Sequence, residues 1–130
     1  MSNTDIISKA YAAFASGDVP QVLAVLDDGI EWTEAAGFPY AGTYVGADAI
    51  VQNVFMRLGT EWDQYQVKPD LLIAEGDQVA ALGWYSGTYK KTGRAFKARF
   101  VHWWKLADGR VISFEQVVDS AKVNEALVPS

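Results

Sequence analysis

The stretch Arg94-Ala-Phe-Lys-Ala-Arg-Phe-Val-His-Trp-Trp-Lys-Leu-Ala-Asp-Gly-Arg-Val-Ile-Ser-Phe-Glu-Gln-Val-Val-Asp119 decides how the rest of the chain is read. Asp108-Gly109 tolerates the backbone angles of a tight reversal, so the segment predicts two long antiparallel strands joined at Ala107–Arg110. Side chains alternate along a strand, which puts Phe96, Ala98, Phe100, His102, Trp104 and Leu106 on one face. Lys97, Arg99, Val101, Trp103 and Lys105 fall on the other. The first face is apolar except for His102, the sole histidine of the chain. That interruption marks His102 as a site candidate; a satisfied histidine in a core wall is the plain alternative.

Upstream, Ile7, Tyr11 and Phe14 follow helical spacing and predict a helix over Thr4–Ser16. Asp18 can cap a second helix, with Pro20 in its first turn and Gln21 three residues on, running to about Asp27. Ile30–Glu34 reads as a short strand with Ile30, Trp32 and Glu34 on one side. A carboxylate sharing a face with an isoleucine and a tryptophan is a second site candidate, unless the strand end frays into solvent. Gly42–Gly46 reads as a turn and Ala47–Leu58 as a third helix. Strands are expected over Tyr65–Ala74 and Val79–Tyr89, with turns at Glu75–Asp77 and Lys90–Gly93. In the second of these, Leu82 and Trp84 are assigned to the inner face, and Gly83 and Gly87 to the other, where they would ease curvature. A short terminal helix follows over Asp119–Leu127, for which Asp119 is a natural cap.

Helices gathered on one side of a mainly antiparallel sheet make a single α+β domain over 1–130. A curved sheet closed by the N-terminal helices would form a cone-shaped pocket, a common home for a small molecule. The candidate lining is Phe14, Trp32, Tyr40, Leu82, Trp84, Phe100, Trp104 and Phe114.

Composition narrows the function. The chain has no cysteine, which excludes disulfides and thiol catalysis and fits a reducing compartment. A net charge of -5 disfavours a duplex nucleic acid partner. Neither a leader-like segment nor a membrane-length apolar run is expected, so a cytoplasmic protein without a membrane partner is the expectation. One histidine and no cysteine mark no metal site, and no phosphate loop or dinucleotide fingerprint is present, so neither metal nor cofactor is expected.

Several short stretches share their order and spacing with a known group: Tyr11-Ala12-Ala13-Phe14-Ala15-Ser16-Gly17-Asp18, Ile30-Glu31-Trp32, Tyr44-Val45-Gly46, Ala74-Glu75-Gly76-Asp77-Gln78-Val79, Phe100-Val101-His102-Trp103-Trp104 and Asp108-Gly109-Arg110-Val111-Ile112. Together they resemble the SnoaL-like group of the nuclear transport factor 2-like superfamily. The resemblance implies an α+β cone, often in a homodimer. It also implies a range of activities, from isomerases, cyclases, epoxide hydrolases and dehydratases to proteins that only bind ligands. Set against the ketosteroid isomerases, Glu34 stands at the general base, Tyr11 at an oxyanion donor, and His102 where that group has a protonated aspartate. Set against the cyclases and epoxide hydrolases, Asp119 matches the closing-strand aspartate. The hydrolases' Arg and Asp pair is not matched, since Val101 stands two positions after Arg99, so epoxide opening by water is not expected.

The expected site is therefore His102 and Asp119, with Glu34 at the mouth and Tyr11 as a supporting donor. Two functions remain open: a cofactor-independent isomerase, cyclase or lyase moving a proton on an apolar carbonyl-bearing metabolite, or a non-catalytic small-ligand binding or scaffold module. The expected partners are a small apolar or polycyclic molecule and, because Val101 and Trp103 face outward, a second copy of the chain.

Overall fold

In the computed structural model, which describes residues 1–129, the first helix α1 (Asn3–Ala15) is held at its start by a reciprocal cap. The Ser2 hydroxyl accepts the Asp5 N–H at 3.1 Å, and the Asp5 carboxylate accepts the Ser2 N–H at 3.4 Å. One face of α1 buries Ile7, Ala10 and Tyr11. Helix α2 (Val19–Ala24) begins at the expected Asp18 cap but stops short of Asp27. The chain is drawn into the sheet there: Val111 N–H donates to Val25 O, and Leu26 pairs with Val111. Strand β1 accordingly runs over Leu26–Glu34 and buries Leu26, Ile30, Trp32 and Glu34.

The segment expected as a turn is instead an edge strand, β2 (Gly42–Val45), antiparallel to β1. Four residues with a glycine carry too little alternation to be read as a strand. The third helix is longer than expected and consists of α3 (Ala47–Ile50), a π-helical stretch (Val51–Phe55) and α4 (Met56–Glu61). Four long strands follow: β3 (Trp62–Glu75), β4 (Gln78–Tyr89), β5 (Arg94–Ala107) and β6 (Arg110–Val118). The short α5 (Ser120–Glu125) is the last element of the described chain.

The sheet order is β2-β1-β6-β5-β4-β3, antiparallel throughout except where β1 lies parallel to β6. The fold is thus α+β, with a mixed, mostly antiparallel sheet and N-terminal helices. No helix among the described residues is long and apolar enough to cross a membrane.

The β5 faces follow the alternation: Phe96, Ala98, Phe100, His102, Trp104 and Leu106 are all buried. The faces of β4 are the reverse of those expected. Ala81 and Tyr85 are buried, Leu82 is half-buried, and Trp84 lies outside beneath Lys97 and Arg99. Gly83 points inward because Phe100, its cross-strand partner, fills that space. A Cβ at position 83 would lie 2.5 Å from Phe100 Cζ and 2.4 Å from Lys68 O. Leu82 and Trp84 therefore do not line the interior. Bulk alone misassigned this strand, since the inner row takes its volume from the neighbouring strand.

Candidate functional site

His102 sits midway along β5, beside Ala81 of β4 and Gln116 of β6. The small Ala81 leaves room for the ring, and Phe100 stacks on it with centroids 4.0 Å apart. Both ring nitrogens are occupied. Tyr11, from α1, shares a hydrogen bond of 2.6 Å with Nδ1, and Tyr85, from β4, shares one with Nε2. Each tyrosine also has a second partner: Trp104 Nε1 donates to Tyr11 Oη at 3.0 Å, and Gln116 Nε2 donates to Tyr85 Oη at 2.9 Å. The Gln116 amide cannot be turned over, because its Oε1 accepts the Ala35 N–H at 3.0 Å and a backbone N–H can only donate.

Burial sets the charge of this cluster. Desolvation pushes the His102 pKa down to about 3, so the imidazole is neutral at physiological pH. Burial pushes the Tyr11 and Tyr85 hydroxyls up, which keeps their protons in place.

Glu34, at the end of β1, is only 4% exposed, and burial pushes its carboxyl up to about 8. Neither its Oε2 nor Trp32 Nε1 on the same strand face makes a hydrogen bond of ordinary geometry, but the indole N–H lies close enough to the carboxyl to oppose part of that rise. Tyr65 and Tyr85 lie near enough for Glu34's charge to add to the upward push that burial gives their hydroxyls. Glu34, Trp32, the two tyrosines bonded to His102 and His102 itself all border one cavity of about 50 Å³, lined on the helical side by Phe14, Val54, Phe55 and Leu58. The π-helical stretch contributes Val54 and Phe55 to that wall.

Of the expected lining, Phe14, Trp32, Trp104 and Phe114 border this cavity. Phe100 lies behind the imidazole as a stacking partner. Tyr40 packs edge-on against Phe38 behind the cavity wall, and its hydroxyl donates to Glu61 Oε1 at 2.7 Å and accepts from Trp62 Nε1 at 2.9 Å. The loop before it sends Phe38 to the cavity instead. Asp119 also departs from expectation. It is exposed, caps α5 by accepting the Lys122 N–H at 3.4 Å, and its own N–H bonds Arg99 O. Arg99 precedes His102 by three residues, so Asp119 meets the ladder about 10 Å from the histidine. Asp119 is a helix cap here, and the His102 and Asp119 pairing is not formed.

Sequence reasoning missed Tyr85 and Gln116. The signal for Tyr85 was its alternation with Gly83, overridden by the weight given to Trp84. Gln116 was hidden by a bulge in β6.

Residues 7–114 match the family of the SnoaL-like domain. The chain belongs to that family, within the NTF2-like superfamily. Among solved structures, this SnoaL-like chain is similar to an NTF2-like protein from Burkholderia thailandensis E264, at 46% identity over 99% of both chains with a TM-score of 0.96. An NTF2-like protein of unknown function from Burkholderia pseudomallei K96243 is 30% identical, over 98% of this chain and 99% of that one, with a TM-score of 0.90. TerC, co-crystallised with polyporic acid, is 25% identical over 96% of this chain and 97% of that one, with a TM-score of 0.87. No curated protein matches the chain by sequence. Homology of fold suggests a small-molecule binding pocket.

Proposed function

We propose that the cavity is the narrow end of a cone between the sheet and the N-terminal helices, and that it moves a proton on a small, apolar, carbonyl-bearing metabolite without a cofactor. Glu34 carries this reading: a carboxyl on the cavity border, buried in an apolar wall and raised to about 8, with one oxygen left without a hydrogen-bond partner. A base poised near the working pH can both take and return a proton. In its ionised form Glu34 removes a proton from the carbon beside the carbonyl. The C–H electron pair becomes the new C=C bond, and the negative charge develops on the carbonyl oxygen. A tyrosine hydroxyl bonded to His102 donates to that oxygen, and the proton returns from Glu34 to the same or a conjugated carbon. His102, being neutral, positions the hydroxyls and supplies no cationic charge.

A cavity of about 50 Å³ holds a carbonyl group and few further atoms. A polycyclic ligand exceeds this volume, so the smaller apolar ligand is preferred; the similar chain TerC was co-crystallised with polyporic acid. The test is exchange of α-protons for deuterium in simple ketones, followed by NMR. Exchange that rises with pH through about 8 and disappears in Glu34→Gln supports the reading. Exchange equal to that of buffer, or unaltered in Glu34→Gln, rejects it.

A second reading, ligand binding without chemistry, is favoured by one observation: Trp32 Nε1 and Glu34 Oε2 are the buried side-chain polar atoms left without partners among the described residues. A ligand offering one acceptor and one donor would satisfy both. Saturable thermal stabilisation by a ketone, with no exchange, would select this reading.

The outer sheet face supports a homodimer. Cross-strand pairing aligns Leu71, Leu82, Val101 and Val117 in one row, next to Ile73, Ala80 and Trp103. Leu71, Ile73, Trp103 and Val117 are exposed. Such a contiguous apolar surface suits a second copy of the chain.

A further inference from the structure

We propose that Tyr11, His102 and Tyr85 form a two-position hydrogen switch that always leaves one tyrosine hydroxyl free to donate to a ligand, with the tautomer of His102 deciding which one. The inference follows from counting hydrogens. The triad holds three: two O–H and one N–H. It contains two hydrogen bonds, one at each ring nitrogen. Each tyrosine oxygen's other neighbour is an obligate donor, Trp104 Nε1 for Tyr11 and Gln116 Nε2 for Tyr85. Those neighbours can take no hydrogen. Three hydrogens therefore serve two bonds, and one O–H is left over in either arrangement.

With the hydrogen on Nε2, Tyr11 donates to Nδ1 and Tyr85 accepts from Nε2, so the Tyr85 hydroxyl is free. With the hydrogen on Nδ1, the roles reverse and the Tyr11 hydroxyl is free. Both tyrosines border the cavity, Tyr85 toward Glu34 and Tyr11 beside Trp104. A ligand oxygen on the Glu34 side thus draws the ring hydrogen to Nε2, and one on the Trp104 side draws it to Nδ1. An unmade hydrogen bond in a buried site is costly, and this is the force that couples ligand position to tautomer. Among the described residues bordering the cavity there is no lysine or arginine. Its donors are neutral, which suits an uncharged carbonyl compound better than a carboxylate.

The inference rests on the cavity being a ligand site, but its readout needs no turnover. Because the chain has one histidine, its ring ¹⁵N signals are unambiguous. In the unaltered protein at neutral pH, both nitrogens should show shifts between those of fully protonated and bare nitrogen. Tyr85→Phe should move the hydrogen to Nε2, since Tyr11 then donates to Nδ1. Tyr11→Phe should move it to Nδ1. A single fully populated tautomer in the unaltered protein, a charged ring, or the same nitrogen protonated in both variants would overturn the switch. Loss of α-proton exchange with the tautomer pattern intact would count against the proton-transfer reading alone. A single tautomer with exchange intact would count against the switch alone.

Discussion

Gln116 stands opposite His102 across the β5–β6 ladder, one rung beyond where an unbroken hairpin would set it. Leu106 pairs with Val111 but Lys105 pairs with Ser113, so Ile112 is an extra residue on β6 and every later pairing slips by one. The slip gives Tyr85 its donor and Ala35 its acceptor. Replacing Gln116 with Leu leaves the Ala35 N–H unpaired in a closed wall and should cost about 1–3 kcal/mol, measured by urea unfolding.

Glu34 and His102 have opposite effects on stability across the pH range. The folded state holds the Glu34 proton up to about 8, against 4.5 for an ordinary glutamate, so Glu34's contribution is full below 4.5 and is lost as pH rises through about 8. His102 is depressed from 6.5 to about 3, so its contribution is full above 6.5 and is lost as pH falls toward 3. Between 4.5 and 6.5 the two slopes oppose each other, each at most about 1.4 kcal/mol per pH unit. Glu34→Gln should remove the alkaline decline and keep the acid one, as read from denaturation midpoints at a series of pH values. An unchanged alkaline limb would show that Glu34 ionises normally.

Asp119→Ala should cost about 0.5–2 kcal/mol through loss of the α5 cap. Ketone exchange per folded molecule should not change. A large loss of exchange in a fully folded Asp119→Ala protein would return Asp119 to the site.

Gly83→Ala should be more damaging than a single methyl suggests. The added carbon meets Lys68 O, a backbone atom, at 2.4 Å as well as the Phe100 ring. Relief requires β3 and β4 to separate, at a cost of about 1–3 kcal/mol. Wild-type melting behaviour would indicate that the β3 backbone and the Phe100 ring both give way without cost.

Trp103→Glu should convert the proposed dimer to monomer in sedimentation. Trp103 is 40% exposed and borders the Leu71, Leu82, Val101 and Val117 row. The ring nitrogen spectrum of His102, on the opposite face, should stay the same. A chain that is monomeric before substitution at micromolar concentration would rule the dimer out.

The sequence alone determined those features whose cause is local. Alternation on β5, the Asp108-Gly109 reversal, and the Asp18 and Asp119 caps all depend on neighbours within a few residues, and all could be read directly. His102 and Glu34 were recognisable as candidates because each sets a polar group against an apolar pattern, and Tyr11 through its match to the oxyanion donor of the ketosteroid isomerases. Tertiary structure decided what these groups do. The bulge at Ile112 brought Gln116 to Tyr85, Phe100 filled the space that made Gly83 an inward residue, and the inversion of β4 delivered Tyr85 to Nε2 and sent Trp84 outside. Register and inner volume depend on strands distant in sequence, so a one-residue slip or a borrowed ring reassigns a whole face without leaving a local trace.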